Sequence, residues 1–301
     1  MVALIVIIGT VLILLAVMVM IPFVIITPMV QPVAFSMTFD PGEFGLDAHR
    51  VSLVTEDNLE LEAYLVHTDN PKAVVIFLSG IHNPPVSAFF GHSRMLADHG
   101  YASLLVEMRA HGNSEGSRIA LGFEEHLDVR AAVDMIKADE QLRQVPIVTY
   151  GLSMGGAVAI NAAGVIPEID AVISLSAFSA WEDVFTDNMT AMGAPKFFAG
   201  MLRPFVKLYI TITYGPRSLT HSPKHQITHM GDRPILLMHS RQDSQIPFAS
   251  FERLKAASPD HAQTWVREGD YHFILKQNTF LTPEKDEAYR DIVLEFLKRL
   301  H

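Results

Sequence analysis

From residue 47 onward, short apolar runs alternate with longer stretches whose apolar residues recur at helical spacing. The runs at 50–55, 59–67, 73–79, 102–107, 147–150, 171–175, 235–239 and 263–267 predict eight strands. Residues 87–99, 124–138, 154–164, 249–257 and 283–300 carry the i, i+3, i+4 pattern of helices packed on one face. Strand alternating with helix builds a mostly parallel sheet covered on both faces. The first two strands are the exception, since the short turn at 56–58 predicts an antiparallel edge hairpin. Residues 178–233 also break the alternation, being too long for a plain connection, and predict a helical cap insertion. Its stretch 197–214 carries an apolar face that includes Phe198 and Leu202, both expected to contact a bound substrate.

The chain begins differently. Residues 1–39 contain no Asp, Glu, Lys, Arg or His, and residues 2–26 are interrupted only by Gly9, Thr10 and Pro22. About 20 apolar residues suffice to span a bilayer, so residues 1–27 predict a single transmembrane anchor. A cleaved signal would show a basic start, a shorter apolar core and a small-residue cleavage site. A Pro-bearing linker at 28–46 and a domain at 47–301 complete the expected organisation. The first Lys or Arg is Arg50, so the orientation signal is weak, and the reading leans to an extracytoplasmic domain. A formal charge of −10 argues against nucleic-acid partners, which need a basic surface. The absence of Cys removes disulfides, thiolate zinc sites and a cysteine nucleophile together.

Candidate chemistry is densest at Gly151-Leu152-Ser153-Met154-Gly155, followed by Gly156. The pattern lies directly after an apolar strand and before a helical run, the context that presents a serine on a tight turn above a sheet. There the Met154 N–H would point at a developing oxyanion. A serine hydroxyl needs a base, and the base an orienting acid. Asp243, in the loop after the seventh strand, fits the acid, with Asp260 and Asp270 as competitors. His272, after the last strand and before the final helix, fits the base. His221, His225 and His229 recur every fourth residue and would line one face of a helix, as in a zinc site. Ser222-Pro223 instead favours a short capping helix.

These residues resemble the α/β-hydrolase superfamily, near membrane-anchored bacterial serine esterases and monoacylglycerol-lipase-like hydrolases, over about residues 47–300. The run from Met108 through Arg109, Ala110, His111, Gly112, Asn113, Ser114 and Glu115 to Gly116 is similar to the family's Arg-Gly-His-Gly-x-Ser-x-Gly loop, with Ala110 in place of Gly. The Asp243 loop resembles His-Gly-x-x-Asp-x-x-x-Pro with Ser240 for Gly, and Gly269-Asp270-Tyr271-His272-Phe273 resembles the histidine loop. The resemblance implies an α/β-hydrolase fold and a Ser153, Asp243, His272 triad. It implies a second oxyanion amide at Ile81, within Ser79-Gly80-Ile81-His82-Asn83, and places His82 and Asn83 near the substrate. Arg109 and His111 would be structural. The activity implied is hydrolysis of a carboxylic ester, a small-molecule acyl substrate, through an acyl-enzyme, with no metal or organic cofactor. Thioester, amide or peptide cleavage by the same triad remains an alternative, as does a non-catalytic binding protein on the same fold.

Overall fold

The computed structural model describes residues 1–276 and 278–300. Its strands are β1 (Ala48–Val54), β2 (Glu60–Val66), β3 (Val74–Leu78), β4 (Ala102–Val106), β5 (Ile147–Leu152), β6 (Ala171–Leu175), β7 (Ile235–Ser240) and β8 (Gln263–Arg267). They form one sheet in the order β1-β2-β4-β3-β5-β6-β7-β8. β1 pairs antiparallel with β2, and β2 antiparallel with β4; the remaining pairs are parallel. Strand alternation sends Val74, Ile76 and Leu78 of β3 into one core, and Val75 and Phe77 into the other. Both faces of the centre are therefore dry, as a parallel sheet requires.

The helices are α1 (Val2–Met29), α2 (Phe90–Ala97), α3 (His126–Ala138), α4 (Met154–Val165), α5 (Trp181–Ala191), α6 (Lys196–Tyr214), α7 (Pro223–Gln226), α8 (Ala249–Ala257) and α9 (Glu287–Lys298). α2 and α9 cover one face of the sheet, while α3, α4 and α8 cover the other. The helices expected at 87–99 and 283–300 each begin with a separate 3-10 turn, Val86–Phe89 and Pro283–Lys285. Asp286 starts α9 by accepting from Tyr289 N, so the helix cannot extend back to Pro283 as one piece. α5 and α6 form the cap. Buried Asp183 on α5 pairs with Arg203 of α6 and with Lys224 Nζ at 2.7 Å, and Arg253 Nη1 of α8 reaches Asp187 Oδ2 at 2.6 Å. Burial opposes charge on Asp183, yet Lys224 and Arg203 hold its carboxyl below the usual carboxylate range.

α1 is long and apolar enough to cross a membrane: 28 residues rise about 42 Å, against about 30 Å of hydrocarbon. Its first half exposes apolar side chains on every side. Its second half docks on the domain, with Pro22 and Ile26 buried and the Phe23 ring edge-on to Tyr209 of α6 at 4.8 Å. Residues 28–46, expected as a linker, are fastened down. Val33 N donates to Ala110 O and Gly112 N to Val33 O, both at 2.8 Å, and Ile119 N donates to Val30 O at 2.8 Å. Backbone groups of a chain running over a surface need partners, and here the 108–119 loop supplies them.

Candidate active site

Ser153 is the single residue between β5 and α4, at φ +56° and ψ −116°. That conformation is one L side chains rarely adopt, so the turn holds strain. Flanking glycines make it possible. A Cβ at Gly151 would collide with Gly155 O, and one at Gly155 with Leu78 O and Ser79 O, so backbone passes where any side chain would sit. Ser153 N donates to Leu175 O at 2.8 Å, which ties the turn to β6. The serine is half-buried, and among the described residues its Oγ has no hydrogen-bond partner.

Facing the turn is the loop after β3. Gly80 lies so near Asn83 O that a Cβ would stand 2.7 Å from it. Among the described residues, the N–H groups of Ile81 and Met154 make no backbone hydrogen bond, and Met154 opens α4, whose dipole adds positive potential. His111 holds this loop from behind, with Nε2 2.6 Å from Ile81 O and Nδ1 2.9 Å from Arg109 O. Arg109 is held in turn: its Nε and backbone N reach Asp128 Oδ1 and Oδ2 at 2.8 and 2.9 Å, and Nη1 reaches Asp57 at 2.9 Å. Both residues support the site from outside it.

Of the three candidate acids, Asp243 meets His272. His272 Nδ1 lies 2.9 Å from Asp243 Oδ2 and 3.1 Å from Oδ1, and both residues are buried. Asp243 Oδ1 also accepts from Gln245 N and Ile246 N, each at 2.9 Å, which fixes the carboxylate plane. Burial alone would raise its pKa, but the His272 hydrogen bond and charge hold it below the usual range. Asp270 is exposed and accepts from Ser244 N, and Asp260 is exposed. Ser240, the departure from the family's Gly, accepts from Tyr271 N at 3.0 Å and so joins the acid loop to the histidine loop. No hydrogen bond joins His272 to Ser153 among the described residues.

A cavity of about 380 Å³ opens at Ser153, bounded also by Ile81 and Met154. Its walls are apolar: Phe178, Trp181, Val184, Phe185 and Met189 from the cap entry and α5, with Ile246 opposite and Ile25 and Met29 from α1. Phe198 and Leu202, expected in the substrate pocket, do not line it. Leu202 is fully buried in the core and Phe198 packs half-buried against the same core, because α6 turns that face onto the domain and leaves α5 over the serine. His82 Nε2 bonds Met29 O at 2.8 Å and Asn83 is exposed, so neither lines the cavity. The α5 wall was readable as spacing, since Trp181, Val184, Phe185 and Met189 recur along one helical face; the α1 wall had no local signal. A second, more polar cavity of about 610 Å³ flanks His272, with Asp270, Lys276 and Gln245 on its walls; Gln245 borders both. An open acidic groove of about 440 Å³ lies on the β1–β2 hairpin, at the sheet edge away from β5.

The histidine row does not share one helical face. α7 begins at Pro223, after His221, and gives way to the 3-10 turn Ile227–His229; the His221 ring lies tilted against His126 at 4.6 Å, and His225 meets His229 at 5.1 Å. Among the described residues no group of three or more His, Asp or Glu is arranged to hold a metal.

Comparisons with known proteins agree with this architecture. Protein YqkD of Bacillus subtilis is 25% identical over 235 residues, covering 77% of this chain and 73% of its own. An uncharacterized membrane protein of Saccharomyces cerevisiae is 27% identical over 144 residues, 46% of this chain and 48% of its own. Among solved structures, an esterase of Pyrococcus furiosus is similar with a TM-score of 0.69 at 25% identity, covering 90% of this chain and 98% of that one. Residues 69–231, which include Ser153 and most of the cap but neither Asp243 nor His272, match the family described as serine aminopeptidase, S33. With that match laid over an eight-stranded, mostly parallel sheet, the chain belongs to the serine aminopeptidase S33 family of α/β-hydrolases and is a hydrolase.

Proposed function

We propose that the protein is a membrane-anchored serine hydrolase that cleaves carboxylic esters of apolar acyl groups, with Ser153 as nucleophile, His272 as base and Asp243 as orienting acid. The observation that carries the reading is the His272–Asp243 contact at 2.9 Å, on the same sheet edge as a strained serine whose Oγ has no hydrogen-bond partner among the described residues. Asp243 accepts a hydrogen bond from His272 Nδ1–H, which holds the tautomer whose Nε2 lone pair takes the Ser153 proton. Oγ attacks the acyl carbon, and the Ile81 and Met154 amides stabilise the oxyanion. His272 then returns the proton to the departing alkoxide. Water, deprotonated by His272, attacks the acyl-enzyme and releases the carboxylic acid.

An ester is favoured over an N-terminal peptide by the cavity at Ser153. Among the described residues its walls carry no charged side chain to hold the ammonium of a peptide substrate, whereas an acyl chain meets a mostly apolar surface in which Asn188 and Gln245 are the polar side chains besides Ser153. α1 supports a single-pass anchor by its length and its lack of any charged residue. The test is labelling of the full-length protein in membranes with a fluorophosphonate, together with turnover of acyl esters, thioesters and anilides of matched chain. Wild type should label at Ser153, and Ser153→Ala and Asp243→Asn should each lose on the order of 10⁴ in ester turnover. Undiminished turnover by folded Ser153→Ala would refute the mechanism, and faster anilide than ester turnover would refute the substrate class.

A further inference from the structure

We propose that the last turns of α1 are a wall of the acyl-binding cavity, and that the cavity takes one acyl chain directly from the bilayer. The substrate would then be a single-chain, membrane-resident acyl ester. This inference rests on the serine-hydrolase reading above.

Three observations carry it. First, Ile25 and Met29 share a cavity with Ser153, although they belong to the helix that supplies the anchor. The freely exposed part of α1 ends where Met18, Pro22 and Ile26 pack on the domain, which sets the junction of bilayer and domain along the last turns of the helix. Ile25 and Met29 then fall at the membrane–water interface, the level at which the ester groups of lipids lie, so the scissile bond need not leave that level to reach Ser153. Second, the rim of the cavity is apolar and open. Met192, on its wall, is 84% exposed, and Ile25 is half-exposed. The outer face of α6, which packs beside α1, continues this surface with exposed Phe197, Met201, Leu208 and Ile212. Contiguous apolar exposure of this kind marks a membrane-contacting surface rather than a watery entrance. Third, the volume sets the class. At roughly 30 Å³ for a water-sized group, about 380 Å³ holds about a dozen methylenes, enough for one chain and too few for two.

The experiment uses the full-length protein in phosphatidylcholine vesicles and nitrophenyl esters from four to fourteen carbons, reading the ratio of twelve-carbon to four-carbon turnover. Ile25→Trp and Met29→Trp, which fill the cavity from the α1 side, should lower that ratio at least tenfold. Ile25→Ala, which enlarges it, should move the preferred chain longer. Ile8→Trp, on the exposed part of α1, should leave the ratio unchanged. A misfolded variant loses all chain lengths together, so opposite shifts for Trp and Ala can come only from the cavity. A second measurement uses a fluorophosphonate on a ten-carbon chain ending in a diazirine. Once attached at Ser153, it should crosslink to residues 25–29, with the residues of α5 as the other acceptors. If Ser153→Ala abolishes turnover but neither Trp variant changes the ratio, or if crosslinks avoid α1, this inference is overturned while the hydrolase reading stands. Retained turnover in Ser153→Ala would overturn both.

Discussion

The turn at Ser153 makes a prediction in which function and stability oppose one another. At φ +56° and ψ −116°, a residue with a Cβ bears strain of about 1–3 kcal/mol, which glycine does not. Ser153→Gly should therefore stabilise the fold. Against that gain stands the extra backbone entropy of glycine in the unfolded chain, about 0.5–1 kcal/mol. Little else is lost: the side chain is half-exposed toward the cavity, and its Oγ has no hydrogen bond to give up among the described residues. The net gain is about 0–2.5 kcal/mol, and at about 2 °C per kcal/mol for a domain of this size Tm should rise by up to about 5 °C. Ser153→Ala keeps the Cβ and hence the strain, so it should melt with wild type. Both variants should be inactive toward esters. The assay is thermal unfolding of the three proteins in one detergent at one scan rate. Were Ser153→Gly no more stable than Ser153→Ala, the backbone would not be storing strain there, and the account of why glycines flank this serine would fail.

Two further predictions concern buried charge. Burial, with Glu62 nearby, pushes the Glu107 carboxyl up to about 8, and its Oε1 has no partner among the described residues. Its folded pKa thus exceeds its unfolded one, so the stability its protonated form contributes is complete below about pH 4.5 and is lost as pH rises through 8. Between pH 5 and pH 8 the Tm of wild type should fall more steeply than that of Glu107→Gln; parallel curves would show that the carboxyl ionises freely in the fold. Arg109→Leu leaves Asp128 buried without its partner and should cost about 3–5 kcal/mol in denaturant unfolding, much of it recovered in Arg109→Leu/Asp128→Leu. Equal instability of the single and double variants would mean that packing, not the uncompensated charge, sets the cost.

Much of this architecture was legible because its signals are local. A strand that must be dry on both faces is a short apolar run, so 171–175 coincides with β6. Ser153 was marked by glycines that tolerate no side chain, and that requirement is written in adjacent residues. Choosing among Asp243, Asp260 and Asp270 from sequence depended on chain order, and only the fold shows which carboxylate lies against His272. The cavity was read less well. Leu202 and Met189 both sit on apolar helical faces of the cap, and periodicity says that a face is buried without saying what it is buried against. Ile25 and Met29 could not be assigned to the cavity, because a uniformly apolar helix has no face to read. The pinning of residues 30–33 was invisible for a related reason: it uses backbone groups, which every sequence possesses.

The pairing of Val33 with the loop at Ala110 and Gly112 governs how the domain is carried. A free tether at this point would raise the local concentration of the domain near its substrate and leave it to tumble through every orientation. Two backbone hydrogen bonds and the buried Ile26 and Val30 remove that swivel. The same loop carries His111, whose ring reaches Ile81 O, so the point where the chain leaves α1 is also the support of the loop facing Ser153. On the membrane-anchored reading the protein is therefore a bracket rather than a leash. Its rotational entropy relative to the membrane plane is given up once, in folding, and not again at each encounter with a substrate.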